Sequence, residues 1–220
     1  MSQSTEALFE RYGSGYRWLI VLMAMTSTIT AVLSATIVNV AVPEIMGSFG
    51  MDQVQAQWLA SGYLAAMTAT MLLLDYGIKT FGQRATMMFA LSAFLFGAFL
   101  GGFATNDVMM ITARFVQGAA AGIMQPMSMV AVYQVFPPER RGFAMGIYGV
   151  GAVMAPAVGP YCGGLLVDAL DWRYVFFAGV PWVLMGMLLT LLFMPSESND
   201  SGPGKKFDWQ GYALVLTFIG

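Results

Sequence analysis

Long apolar runs recur along this chain, and they constrain its fold more than any other feature. Six of them, at about 18–42, 58–78, 86–104, 108–135, 143–167 and 174–194, hold no more than one charged side chain each. A helix needs roughly 20 such residues to cross a bilayer, so each run predicts a spanning helix. A seventh run opens at Trp209 and has only twelve residues by Gly220, which predicts that the chain stops inside a seventh span. Charged residues make up 10% of the chain and hydrophobic residues 58%, against about 25% charged in a soluble domain. A fold of this composition is all-α and transmembrane. Several function classes fall away at once. A net charge of -2 argues against a nucleic-acid binder. There is no His and one Cys, so neither a zinc site nor an internal disulfide is expected. No metal, no cofactor and no enzymatic chemistry are expected.

The connectors are short. Residues 43–57 hold Glu44 and Asp52, 80–85 hold Arg84, 105–107 form a tight turn, 136–142 read FPPERRG, and 168–173 join the last two complete spans. The run PSESNDSGPGKK at 195–206 reads as a linker between bundles. The chain therefore divides into a leader at 1–16, a six-span bundle at 17–194, a linker at 195–208 and the start of a seventh span at 209–220. If six spans alternate, Arg11, Arg17, Lys79, Arg84, Arg140, Arg141, Lys205 and Lys206 share one side, eight of the ten Lys and Arg. Arg173 lies opposite and Arg114 lies inside a span. Positive charge gathers on the cytoplasmic side, which predicts a cytoplasmic N-terminus and linker.

Polar side chains inside the runs are candidate functional groups, since charge in a bilayer is costly. At 100° per residue, Arg114, Gln117, Gly118, Ala121, Gln125 and Ser128 share a face of the fourth span. Two readings of Arg114 stay open: a structural guanidinium bonded to backbone carbonyls, or a group that orients substrate or assists proton release. On the second span Gln57, Ser61, Thr68 and Asp75 share a face, and Asp75 and Lys79 stand i,i+4, where an interfacial ion pair is favoured. The first span carries Thr26, Ser27, Thr30 and Ser34 on one side and Asn39 on the other; most such hydroxyls satisfy backbone. The fifth span sets Gly142, Gly146, Gly149, Val153, Pro156, Pro160 and Gly163 along one stripe. Small residues allow close helix approach, and with two prolines the stripe suits a seam between moving bundles as well as ordinary packing. The nineteen methionines are scattered, most of them as core or lipid-facing packing.

Four segments carry a resemblance. LSATIVNVAVP at 33–43, QWLASGYLAA at 57–66, RFVQGAAAG at 114–122 and GVGAVMAPAVGPYCGG at 149–164 resemble signature segments of the major facilitator superfamily, in particular its fourteen-helix drug:proton antiporters of the EmrB/QacA type. FDWQGYALVL at 207–216 is similar to the start of that subfamily's seventh helix. The likeness covers about 16–220. It implies the N-terminal half of an antiporter that exports small amphipathic or drug-like molecules across the cytoplasmic membrane by alternating access. Protons are the implied coupling ion, and a periplasmic adaptor is among the implied partners. A substrate and proton pathway would run past Arg114, Gln117, Gln125, Ser34 and Asn39. A conformational seam would include Gly149, Pro156, Gly159, Pro160, Gly163 and Gly164. A cytoplasmic charge lock would include Asp75, Lys79, Gly82, Arg84 and Arg141. Two places depart from the pattern. Ser34 stands where the subfamily keeps an acid, and DYGIKTFGQR at 75–84 puts Asp75 and Lys79 where it keeps Gly and Asp. A serine does not titrate near neutral pH, so the proton carrier is expected beyond Gly220, or at Asp75. A membrane sensor or interaction protein on a transporter-like bundle, and an uptake facilitator, remain as alternatives.

Overall fold

The computed structural model describes residues 3–195 together with Tyr212 and Thr217. Most of the expected linker and seventh-span start, with Lys205 and Lys206, lies outside the described residues. Within them the chain is helical: α1 (Gln3–Tyr12), a 3-10 turn (Gly13–Gly15), α2 (Tyr16–Phe49), α3 (Gln53–Met71), α4 (Leu74–Phe81), α5 (Gln83–Gly102), α6 (Asp107–Val135), α7 (Pro138–Ala169), α8 (Tyr174–Phe177) and α9 (Val180–Phe193). Helices are the form in which an apolar chain can satisfy its own backbone in hydrocarbon. Five stretches are long and apolar enough to cross a membrane, the last of them Tyr174–Phe193, and α3 with α4 makes a sixth if that bent pair is one span. The chain is a multi-pass membrane protein.

Local chemistry sets the helix ends. Asp52 caps α3 with a reciprocal pair: Gln55 N donates to Asp52 Oδ1 at 2.7 Å, and Asp52 N donates to Gln55 Oε1 at 3.1 Å. Asn106 caps α6 by accepting from Met109 N at 2.8 Å. Phe136 is extended ahead of the two prolines, and α7 starts on Pro138.

The structure corrects three boundaries. Residues 43–49 are helix, where a connector is expected from Pro43 onward. The charge at Glu44 ends the apolar run without ending the helix, which stops at Gly50 in the left-handed region (φ +64°). The connector at 80–85 shrinks to Gly82, whose φ of +81° turns the chain between α4 and α5. The second span is broken at Leu72–Leu73 and bends by 53°. Thr70 sits just before the break, and its hydroxyl donates back to Ala66 O at 2.9 Å, the kind of bond that bends helices.

α2 forms the axis of the bundle and packs on α3, α6, α7 and α9; α6 packs on α2, α3 and α5. The most apolar stretch of α2 is 67% buried and that of α7 only 22%, so α7 lies at the periphery. Two large apolar clusters fill the interior. One joins Tyr16–Ala24 of α2 to Met87, Leu91 and Phe94 of α5, Met124 and Met127 of α6, and Val183 of α9. The other joins Ile37 and Ile45 of α2 to Leu59, Met110, Trp172 and Phe176. Between these stretches of α2 lie the buried Thr26, Ser27, Thr28, Thr30 and Ser34, with Arg114 and Gln117 of α6.

Candidate functional site

Arg114 is completely buried, as are Gln117 and Tyr63 to within 1%. It sits on α6 at the junction with α2 and α3. Its Nε donates to the Leu59 carbonyl at 2.8 Å, and its Nη1 donates to Ser34 Oγ at 3.2 Å and to Gln117 Oε1 at 3.1 Å. The guanidinium carbon stands 4.3 Å from the centre of the Tyr63 ring, within cation–π range. Tyr63 is fixed in turn by its hydroxyl, which donates to Ala31 O at 2.7 Å. Nη2 of Arg114 and Nε2 of Gln117 are buried without a partner.

Glycine makes this junction. A Cβ on Gly118 would collide with the Tyr63 carbonyl, and one on Gly122 with the Met67 carbonyl and the Thr70 hydroxyl. The close approach lets Thr70 Oγ1 donate across to Ala119 O at 2.7 Å. The sequence run RFVQGAAAG is therefore one device. Its glycines and alanines bring α3 against α6, and that approach places the Leu59 carbonyl within reach of Arg114.

Of the expected pathway residues, the structure brings Ser34, Arg114 and Gln117 together. Gln125 lies further along α6, where its carbonyl accepts from Tyr148 Oη at 3.4 Å; the Tyr148 hydroxyl also meets Thr28 Oγ1 at 2.7 Å. Asn39 is exposed, away from this group. Thr26, Ser27 and Thr30 donate to carbonyls of their own helix at 2.8–3.0 Å, the role expected of most hydroxyls in α2. Gln57, Ser61, Thr68 and Asp75 are all exposed on α3 and α4. Tyr63 and the Leu59 carbonyl were not legible, because the polar side chains of that span point to its opposite face.

The expected seam divides in two. Gly159 and Gly163 are buried against α2, where a Cβ on Gly163 would lie 2.9 Å from the Ile37 carbonyl and one on Gly159 would meet the Thr36 hydroxyl. Gly142, Gly146, Gly149 and Gly164 have nothing within 4 Å of such a Cβ; Pro160 is exposed and Pro156 half-buried. The expected charge lock is not one cluster. Lys79 Nζ and Asp75 Oδ2 form their i,i+4 pair at 2.5 Å, both side chains exposed. Arg84 instead donates to the Leu191 carbonyl. Arg141 donates from Nε to the Tyr133 and Phe136 carbonyls, at 3.2 Å each, and lies over the Tyr133 ring. Both arginines thus cover carbonyls at helix C-termini. Among the described residues no group of three or more His, Cys, Asp or Glu could hold a metal.

The sequence profile of the Major Facilitator Superfamily matches residues 15–217. The chain belongs to that superfamily. The "Uncharacterized MFS-type transporter YhcA" of Bacillus subtilis is 39% identical over 203 residues, 92% of this chain and 37% of the relative. The "Multidrug export protein EmrB" of Haemophilus influenzae is 32% identical over 204 residues, 92% of this chain and 39% of the relative. The chain thus spans less than two fifths of the length of these two relatives. Solved structures agree on the fold. A proton:xylose symporter, XylE, superposes with a TM-score of 0.70 at 17% identity, covering 82% of this chain and 46% of its own. A peptide transporter, POT, superposes with a TM-score of 0.73 at 12% identity, covering 93% and 44%.

Proposed function

We propose that this chain is part of a secondary active exporter of the fourteen-helix drug:proton type, moving small amphipathic molecules out across the cytoplasmic membrane. The observation that carries this reading is the Arg114 group: a guanidinium held in the interior of the bundle by Ser34, Gln117 and the Leu59 carbonyl. An ionisable residue at that depth marks a substrate or ion pathway by default. Likeness to a protein named as a multidrug exporter supports the direction of transport. In this reading a second bundle closes over the exposed polar face of α3, the exposed Gly142, Gly146 and Pro160 of α7, and the half-buried Gly149, whose Cβ side is open. Rocking of the two bundles alternates access to the space between them. Protons are the coupling ion, and their carrier is a carboxylate outside 3–195 or Asp75, since Ser34 carries no titratable group. The ends of the bundle rich in Lys and Arg face the cytoplasm, and a periplasmic adaptor is a partner in Gram-negative hosts.

Efflux of a fluorescent cationic dye from cells lacking their own pumps tests the reading, with the full-length protein and its Arg114→Ala variant at matched membrane levels. Dye export by the wild type and its loss in the variant are expected. Wild-type export in Arg114→Ala assigns the guanidinium to packing alone. Reporter fusions at Gly82 and Glu139 should read cytoplasmic, and those at Met51, Asn106 and Asp171 external.

A further inference from the structure

The polar groups around Arg114 are unbalanced in one direction. A guanidinium offers five N–H donors; here Nε has the Leu59 carbonyl and Nη1 has Ser34 and Gln117, while Nη2 has no partner. The Gln117 amide is oriented by giving its oxygen to Arg114, which turns its NH2 away, and that group is also unpartnered. Ser34 accepts from Arg114, and among the described residues its own hydroxyl hydrogen goes to no acceptor. Every unmet group at this point is a donor. No carboxylate compensates the charge: the two ion pairs among the described residues, Lys79–Asp75 and Arg173–Asp171, involve neither Arg114 nor its neighbours. Tyr63 covers one face of the guanidinium with its ring and gives its hydroxyl to Ala31. A water would bring acceptor lone pairs and no charge, and an uncompensated buried charge is among the most costly arrangements a fold can hold.

We propose that Arg114, Ser34 and Gln117 form a binding site for a small monovalent anion, either chloride or the carboxylate of a transported molecule. Anion charge answers the guanidinium, and its lone pairs answer Nη2, the Gln117 amide and the Ser34 hydroxyl together. Ser34 Oγ is 3.2 Å from Nη1, so a carboxylate carried by residue 34 would be within reach of the guanidinium and would fill the same need from within; the serine leaves the position open to an outside anion. The site lies within the transport pathway argued above, and only the carboxylate source depends on that reading.

The test is thermal unfolding of the full-length protein in nanodiscs of neutral lipid, followed by tryptophan fluorescence. Chloride or acetate replaces a bulky sulfonate at constant ionic strength. The wild type should show a saturable rise in midpoint with at least one of the two anions. Ser34→Asp and Gln117→Glu each place a carboxylate beside Arg114 and should lose that response while remaining folded in the sulfonate alone. A response to chloride identifies an inorganic ion as sufficient, and one confined to acetate identifies a carboxylate. A wild type indifferent to both anions, an equal response in the variants, or failure of both variants to fold in any of these salts would each overturn the proposal. Binding is read here without transport, so an absence of dye export leaves this result standing, and an absence of anion binding leaves export standing.

Discussion

Replacing Gly118 by alanine adds one methyl group where α6 meets α3. The new carbon would lie 2.8 Å from both the Tyr63 carbonyl carbon and its Cα, and closer still to the oxygen. Carbon atoms rest about 3.5–4.0 Å apart, so α3 must retreat by about 1 Å. Two bonds cross this junction, Arg114 Nε to Leu59 O at 2.8 Å and Thr70 Oγ1 to Ala119 O at 2.7 Å. A retreat of about 1 Å takes both beyond hydrogen-bonding distance. The loss is about 1.5–3 kcal/mol for the charged bond and about 1 kcal/mol for the neutral one. Holding the helices in place costs a similar about 1–3 kcal/mol in overpacking. Alanine returns just under about 1 kcal/mol through helix propensity. The expected net destabilisation is about 2 kcal/mol, measured by unfolding in mixed micelles with rising dodecyl sulfate. Gly149→Ala is the control, because nothing lies within 4 Å of its Cβ; it should be neutral or slightly stabilising. A Gly118→Ala protein as stable as the control would refute the claim that backbone proximity positions Arg114.

Gly163→Leu should destabilise the bundle by about 1–3 kcal/mol against the Ile37 carbonyl, whereas Gly149→Leu should leave stability unchanged and block dye export; equal stability loss in both would remove the distinction between the two faces of α7. Tyr148→Phe removes the bond to Thr28 and should cost about 1 kcal/mol in the same micelle assay, with no change indicating that the hydroxyl pair is idle. Asp75→Asn breaks an exposed pair and should change stability by no more than about 0.5 kcal/mol; a larger loss would show that the pair holds α4 in place.

The spans were legible because bilayer thickness and backbone satisfaction act on run length, which a sequence displays directly. What it hid were events set by neighbours. The helix through Pro43 continues beyond its apolar stretch because Gly50, not polarity, ends it. The bend after Thr70 depends on a hydroxyl that bonds its own helix and α6 together. At the site, Arg114 and Gln117 were readable as polar residues on one face of their span and Ser34 on one side of its own, and the family resemblance set the three in one pathway. Their partners Leu59 O and the Tyr63 ring were not, since a carbonyl is invisible in sequence and the tyrosine occupies the apolar side of α3. The glycine stripe of α7 was readable as a surface for close approach. Which glycines meet α2 and which stay open follows from a helix rotation that only packing fixes.

Burial of α2 has a consequence for how the protein is made. α2, which holds the most enclosed of the long apolar stretches, leaves the ribosome well before three of the helices that enclose it, α6, α7 and α9. For that interval its hydroxyl-rich stretch has α3 beside it but lacks those later neighbours. Thr26, Ser27 and Thr30 tolerate the wait because each is already bonded to a carbonyl of the same helix. Arg114 needs an acceptor from outside, and its acceptors Ser34 and the Leu59 carbonyl belong to segments inserted before it. Chain order therefore delivers the self-sufficient helix first and the dependent guanidinium only once its partners are in the membrane.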